Sequence, residues 1–163
     1  MLLLVGLGNP TPNSQNNRHN IGFKVVDAIN QKFGLSKQKP KFKGLLTTGN
    51  IGDKKIYVIK PLTFMNSSGI CIRELLEYFK IESENVIVFH DDLDVEFGKI
   101  KTKFGGSSAG HNGIASIDKF IGKDYSRIRI GIGRFNTKDE ILIAADDMND
   151  GARKVIAAVR GEA

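Results

Sequence analysis

His19 stands between Arg18 and Asn20, just before a run whose apolar residues recur at helical spacing. An imidazole at a helix start feels the positive end of the helix dipole, which disfavours its cation. A neutral ring so placed can take a proton from water. The plainer reading of the same residue is a histidine that caps the helix or packs on its end. "FHDDLD" (89–94) is the second candidate. Carboxylates at the end of a buried strand lie where α/β proteins bind their ligands. Either Asp91 or Asp92 can accept a hydrogen bond from an imidazole N–H, fixing its tautomer and stabilising the cation that forms. Spacing does not choose between the two acids, and a solvated acidic turn fits them equally. His90 reads as a residue that faces the sheet packing or a hydrogen bond rather than the site.

"KFGGSSAGHNGIASI" (103–117) is the third stretch. Its glycines let backbone approach a ligand, and a helix begins directly after, so backbone N–H groups can meet an anion. The Gly-Lys-Ser/Thr ending of a nucleotide P-loop is missing. Lys99, Lys101 and Lys103 alternate just before it and would charge one face of a strand. A solvated edge strand is the alternative. His111 reads as a helix cap. Asn9, Asn20, Asn66 and Asn112 fall at strand ends or helix starts. An amide is neither acid nor base near neutral pH, yet it can hold a water or a carbonyl by donating and accepting. Capping is the alternative for each.

The elements that must position these residues follow from periodicity. "LLLVGLG" (2–8) is a short apolar run ending at glycine and proline, a buried strand. Ile21, Val25, Ile29 and Phe33 mark a helix face, with Gly34 as its stop. Residues 41–61 hold two strand-like runs around Gly52-Asp53, a hairpin. Asn66, Ser67 or Ser68 can cap a helix through about Tyr78, whose face is Ile72, Leu75, Leu76 and Phe79. "NVIVFHDD" (85–92) reads as a central buried strand. "KIKTKF" (99–104) and "SRIRIGIG" (126–133) alternate as strands, and "HNGIASIDKFIG" (111–122) reads as a helix ended by Gly122. Residues 137–159 have helical character with a break near 149–151. Strands interleaved with helices predict an α/β fold. The hairpin makes its twisted sheet mixed. Neither repeats nor a linker appear, so one domain over 1–163 is the economical reading.

Composition sets the bounds. The chain has 163 residues, 40% of them apolar, which suits a globular domain with its own core. A net charge of +6 favours a polyanionic partner. Cys71 is alone and sits among apolar residues, which excludes an internal disulfide and makes it a small core residue. No apolar run reaches the roughly 18 residues of a membrane span. The apolar N-terminus lacks the charged start of a signal peptide, so a cytoplasmic location is expected.

Together, "GLGNP" (6–10), "RHNIGF" (18–23), "KPLTFMNSSG" (60–69), "HDDLD" (90–94), "GSSAGHNG" (106–113) and "RIRIGIGR" (127–134) resemble bacterial peptidyl-tRNA hydrolase, over roughly residues 2–135. The resemblance implies a single three-layer α/β/α domain, a monomer without cofactor or metal. It also implies cleavage of the ester between a peptide and the 3′ end of tRNA, which recycles tRNA. By the same resemblance His19 is the catalytic base and Asp91 its orienting carboxylate. Asn9 helps tell blocked from free aminoacyl groups. Phe64, Asn66 and Asn112 meet the substrate's 3′ end and peptide, His111 belongs with these substrate-binding residues, and Met65 packs at the cleft floor. Lys101, Lys103, Arg129 and Arg134 meet tRNA phosphates.

The chain departs from the family pattern between residues 10 and 17. Thr11 replaces a glycine, Ser14 stands where a tyrosine is usual, and Asn17 replaces a threonine. Phe135 replaces a proline after Arg134. The altered loop leaves room for a non-catalytic RNA-binding relative, against which intact His19 and Asp91 argue. A metallohydrolase is disfavoured, because the three histidines fall in separate motifs without ligand spacing.

Overall fold

The computed structural model describes residues 1–9 and 20–132. These residues form a sheet of seven strands: β1 (Leu2–Gly6), β2 (Lys39–Lys41), β3 (Gly44–Ile51), β4 (Lys54–Pro61), β5 (Val86–Asp92), β6 (Ile100–Phe104) and β7 (Ser126–Gly131). They lie in the order β2-β3-β4-β1-β5-β7-β6. β1 runs parallel to β4 and β5, and β5 parallel to β7. The β2–β3, β3–β4 and β6–β7 pairs are antiparallel. The sheet is therefore mixed.

Among the described residues three helices cover it: α1 (Ile21–Lys32), α2 (Ser68–Phe79) and α3 (Asn112–Ile121). α1 packs Ile21, Val25, Val26 and Ile29 against Leu2, Leu4, Ile87, Phe89, Ile128 and Ile130 on one face. α2 and α3 pack Ile72, Leu75, Ile114 and Ile117 against Leu3, Val5, Val86 and Val88 on the other. That alternation along β1 and β5 is the period of two that a sheet buried on both faces requires. Each such aliphatic side chain stabilises the fold by about 1.5–3 kcal/mol. The three-layer α/β/α architecture is as the sequence predicts. Cys71 is fully buried, and burial pushes its thiol up to about 12, so it is an unreactive core residue.

Several details differ from the periodicity reading. β1 ends at Gly6, not residue 8. β2 is a third strand before the hairpin, fully exposed at the sheet edge. Three residues of Lys-Pro-Lys carry no apolar alternation by which to read it. α2 is entered through a 3-10 turn, Met65–Ser67, and Ser67 makes no capping hydrogen bond. Ser68 Oγ instead donates to the Met65 carbonyl at 2.9 Å. The segment 137–159 lies outside the described residues.

α1 lies unusually close to the strands. A Cβ on Gly22 would come within 2.5 Å of the Leu7 and Phe89 carbonyl oxygens, and one on Gly6 within 2.5 Å of the Gly22 carbonyl oxygen. Only glycines permit this backbone-on-backbone contact. It fixes the start of α1, and hence Asn20, over the carboxyl ends of β1 and β5.

Candidate active site

β1 is flanked by β4 on one side and β5 on the other, with α1 and α2 on opposite faces. That is the topological switch point where open α/β sheets bind ligands. A cleft of about 460 Å³ opens there. Its walls include Asn9, Asn20, Met65, His90, Asp91, Asp92, His111 and Asn112. The end of β1, the start of α1, the turn before α2, the β5 carboxyl end with the 91–94 turn, and the loop entering α3 all contribute to it.

Asn20 does not cap α1 with its side chain. Its Oδ1 accepts the Asn9 N–H at 2.7 Å, and its Nδ2 donates to the Asn9 carbonyl at 3.0 Å. This two-ended clamp holds Asn9 on the cleft wall, so capping is the wrong reading for Asn20. The competing partner is a strand end rather than the helix's own N–H groups.

His111 is a cap and more. Its Nδ1 accepts the N–H groups of Gly113 and Ile114 at 3.1 and 3.2 Å, which satisfies donors at the start of α3. An Nδ1 that accepts leaves the ring proton on Nε2. That nitrogen lies 2.8 Å from Asp91 Oδ1 and donates to it. A helix start thus sets the tautomer of an imidazole that faces a carboxylate.

The two acids divide. Asp91 is 7% exposed and takes the imidazole. Asp92 turns to Arg129, whose Nε donates to Oδ2 at 2.7 Å, while Oδ1 accepts the Asp94 N–H at 2.8 Å. Burial raises the Asp92 carboxyl, but these hydrogen bonds and the Arg129 charge outweigh it and hold it below the ordinary value.

His90 does belong to the cleft wall. Its Nδ1–H donates to the Asp91 carbonyl at 2.8 Å, and its ring meets that of His111 edge-on, with centres 4.9 Å apart. Burial, then the neighbouring His111, pushes its pKa down to about 4. It is a neutral ring near neutral pH, and it makes the hydrogen bond the sequence reading allows while also lining the cleft, which that reading does not expect. Leu93, Asp94, Ser108 and Ala109 also line the cleft. The sequence reading gives none of the four a role of its own, because only the closure of two loops brings them together.

Of the other sequence-predicted residues, Met65 lines the cleft and packs on the α2–α3 core. Phe64 is 70% exposed beside it, and Asn66 is exposed. Lys101 and Arg129 face each other across β6 and β7, and Lys103 faces Arg127. These four project from one face of the sheet. Among the described residues no group of three His, Cys, Asp or Glu side chains is placed to hold a metal ion. His19 and Arg134 lie outside the described residues.

A carboxylate beside an imidazole, with amides around it, at a switch point of a mixed α/β sheet, marks an enzyme cleft equipped for proton transfer and oxyanion stabilisation. The comparisons name the kind. The chain belongs to the peptidyl-tRNA hydrolase family, whose model matches residues 3–155. A peptidyl-tRNA hydrolase of Pelagibacter ubique is 82% identical over 141 residues, 86% of this chain and 76% of that one. One of Bartonella henselae is 51% identical over 139 residues, 85% and 72% of the two chains. The crystal structure of peptidyl-tRNA hydrolase from Acinetobacter baumannii superposes with a TM-score of 0.84 at 35% identity, covering 99% of this chain and 90% of that one.

Proposed function

We propose that this chain hydrolyses the ester joining a peptide, or another N-blocked aminoacyl group, to tRNA, with His19 as base. The observation that carries the reading is the placement of Asp91. It sits at the β5 terminus, paired to the His111 imidazole, in a cleft that Asn9 and Asn112 also line. His19 takes a proton from water, and the hydroxide attacks the ester carbonyl. An amide or backbone donor stabilises the tetrahedral oxyanion. The histidinium then returns the proton to the leaving ribose hydroxyl. Asp91 orients the base and stabilises its cation. Asn9 favours a blocked amide nitrogen over a free ammonium, and Phe64, Met65, Asn66, His111 and Asn112 bind the acyl and 3′ end. General-base assistance of this kind is worth about 10²–10⁴ in rate.

Lys101, Lys103, Arg129 and Arg134 hold tRNA phosphates, which supplies affinity without reading sequence. The Asp92 clamp on Arg129 Nε orients that guanidinium without using its terminal nitrogens. The working form in this reading is a single-domain monomer in the cytoplasm, where its substrate arises in translation. Among the described residues no helix is long and apolar enough to cross a membrane. The deciding experiment is release of N-acetylated amino acid from tRNA by the purified chain and by His19→Ala. Turnover that disappears in the variant, with an unchanged melting temperature, supports the reading. RNA binding without turnover in the unaltered chain sinks it.

A further inference from the structure

β7 carries a guanidinium into the layer between the sheet and α3. Arg127 is 2% exposed. Its Nη2 donates to Asp118 Oδ1 at 2.8 Å, and the same oxygen accepts the Tyr125 hydroxyl at 2.7 Å. Burial, then the Asp118 hydrogen bond, raises the Tyr125 phenol far above its ordinary range, so it remains a donor. Nη1 turns the other way and donates to the Ser107 carbonyl at 2.9 Å. Nε is buried without a hydrogen-bond partner among the described residues.

Ion pairing alone would favour another arrangement. Arginine and carboxylate pair best fork on fork, through two parallel N–H···O bonds. Here one arm reaches a backbone carbonyl and the third nitrogen goes unsatisfied. A buried charge paired this way contributes little net stability. What the geometry does secure is the loop from Gly105 to His111. Ala109 holds φ +49°, and Gly106 and Gly110 hold +91° and +80°. Ser108, Ala109 and Gly110 form one wall of the cleft, and His111 and Asn112 follow directly. Backbone in such sparsely populated conformations persists only where its surroundings determine it. The loop is tied at Gly105, whose N–H donates to the Tyr125 carbonyl at 3.2 Å, at His111, through Asp91, and between them at Ser107, by Arg127.

We propose that Arg127 is a positioning residue for the hydrolytic reaction: through the Ser107 carbonyl it sets the cleft wall that carries His111 and Asn112. This rests on the reading of the cleft as the peptidyl-tRNA site. Asp118 holds the guanidinium, and the guanidinium holds the loop.

Two substitutions separate this from a role in folding alone. Arg127→Lys keeps a cation beside Asp118 but has no second arm for Ser107. Tyr125→Phe removes the hydroxyl bond to Asp118 and leaves the Ser107 contact. Arg127→Lys should raise KM for N-acetylated aminoacyl-tRNA about tenfold while kcat stays within about twofold. It should also broaden the Nε2–H signal of His111 in the imidazole ¹⁵N spectrum. Tyr125→Phe should lower the melting temperature and move neither. If Arg127→Lys leaves KM and the His111 signal as they were, the proposal is overturned. Should that variant not fold, Asp118→Asn, which loosens Arg127 without removing it, takes its place. About a threefold rise in KM with the same spectral change supports the proposal, and no change in either overturns it. The spectrum needs no substrate. A chain without esterase activity would sink the reading of function, while the His111 signal would still decide the case of Arg127.

Discussion

His111 lies between a helix and a carboxylate: Nδ1 accepts the Gly113 and Ile114 N–H groups, and Nε2 donates to Asp91 at 2.8 Å. One ring therefore joins the start of α3 to the end of β5. The sequence assigns these residues separate tasks, a cap and an orienting acid. The structure makes them one unit.

The two jobs of His111 can be separated by side-chain length. His111→Asn should still cap α3, leaving stability within about 0.5 kcal/mol, because asparagine is a good N-cap. It is too short to reach Asp91, so turnover should fall about tenfold or more, the worth of a hydrogen bond to a charged group. His111→Ala should lose both, with about 1–2 kcal/mol of stability gone as well. Urea melts and single-turnover rates on the three proteins check this, and equal turnover in His111→Asn and the parent would count against the Asp91 link.

His90 makes stability depend on pH in a defined window. Burial holds the folded ring near 4, against 6.5 for an ordinary histidine. Between those values the unfolded chain binds a proton that the native state does not, so stability rises with pH there. On acidification it should be lost progressively from about pH 7 to 4, by at most about 3 kcal/mol from this group. His90→Asn keeps a donor for the Asp91 carbonyl but cannot titrate. Its unfolding free energy should fall less steeply over that window. Parallel curves for the two proteins would refute the assignment.

Phosphate contact has a salt signature. Lys103 lies on the edge strand, and its side chain folds across Gly106, whose missing Cβ leaves it room. Lys103→Ala should raise KM for a tRNA ester and leave kcat nearly unchanged. The slope of log affinity against log salt should shrink by about 0.7–0.9, one phosphate's share. An unchanged slope would remove Lys103 from the interface.

Gly22→Ala tests the close approach of α1. The added methyl would meet two backbone carbonyls that have nowhere to go. A loss of about 3 kcal/mol is expected, by the cost of overpacking. Chemical denaturation measures it directly. A loss below about 1 kcal/mol would mean that α1 can shift freely.

What could be read in the sequence was what repeats along the chain. Ile21, Val25 and Ile29 announce α1, and the run before Asp91 announces β5, because burial imposes a period on side-chain type. Fold class follows from such signals, whereas the roles given to residues within the motifs come from the family resemblance. Arg127 could not be read that way. In "SRIRIGIG" it looks the same as Arg129, yet one is buried against Asp118 and the other holds the 91–94 turn. The difference lies in partners on other elements, which no local pattern contains. The same holds for the choice between Asp91 and Asp92, and for Asn20, whose partner lies eleven residues earlier. β2 escaped for another reason: pairing to β3 makes Lys39–Lys41 a strand, with no apolar periodicity of its own.

The two outer strands of the sheet have a consequence for the molecule in company. β2 offers Lys39, Pro40 and Lys41 along one margin, and β6 offers Lys101 and Lys103 along the other. Unfinished margins invite another copy to add a strand, and lysine and proline are the usual deterrents. The β6 lysines proposed to draw in nucleic acid therefore also oppose strand addition by a sister molecule. Concentrated electrolyte mutes both effects at once, so a preparation stripped of its RNA by salt is also the one most prone to clump.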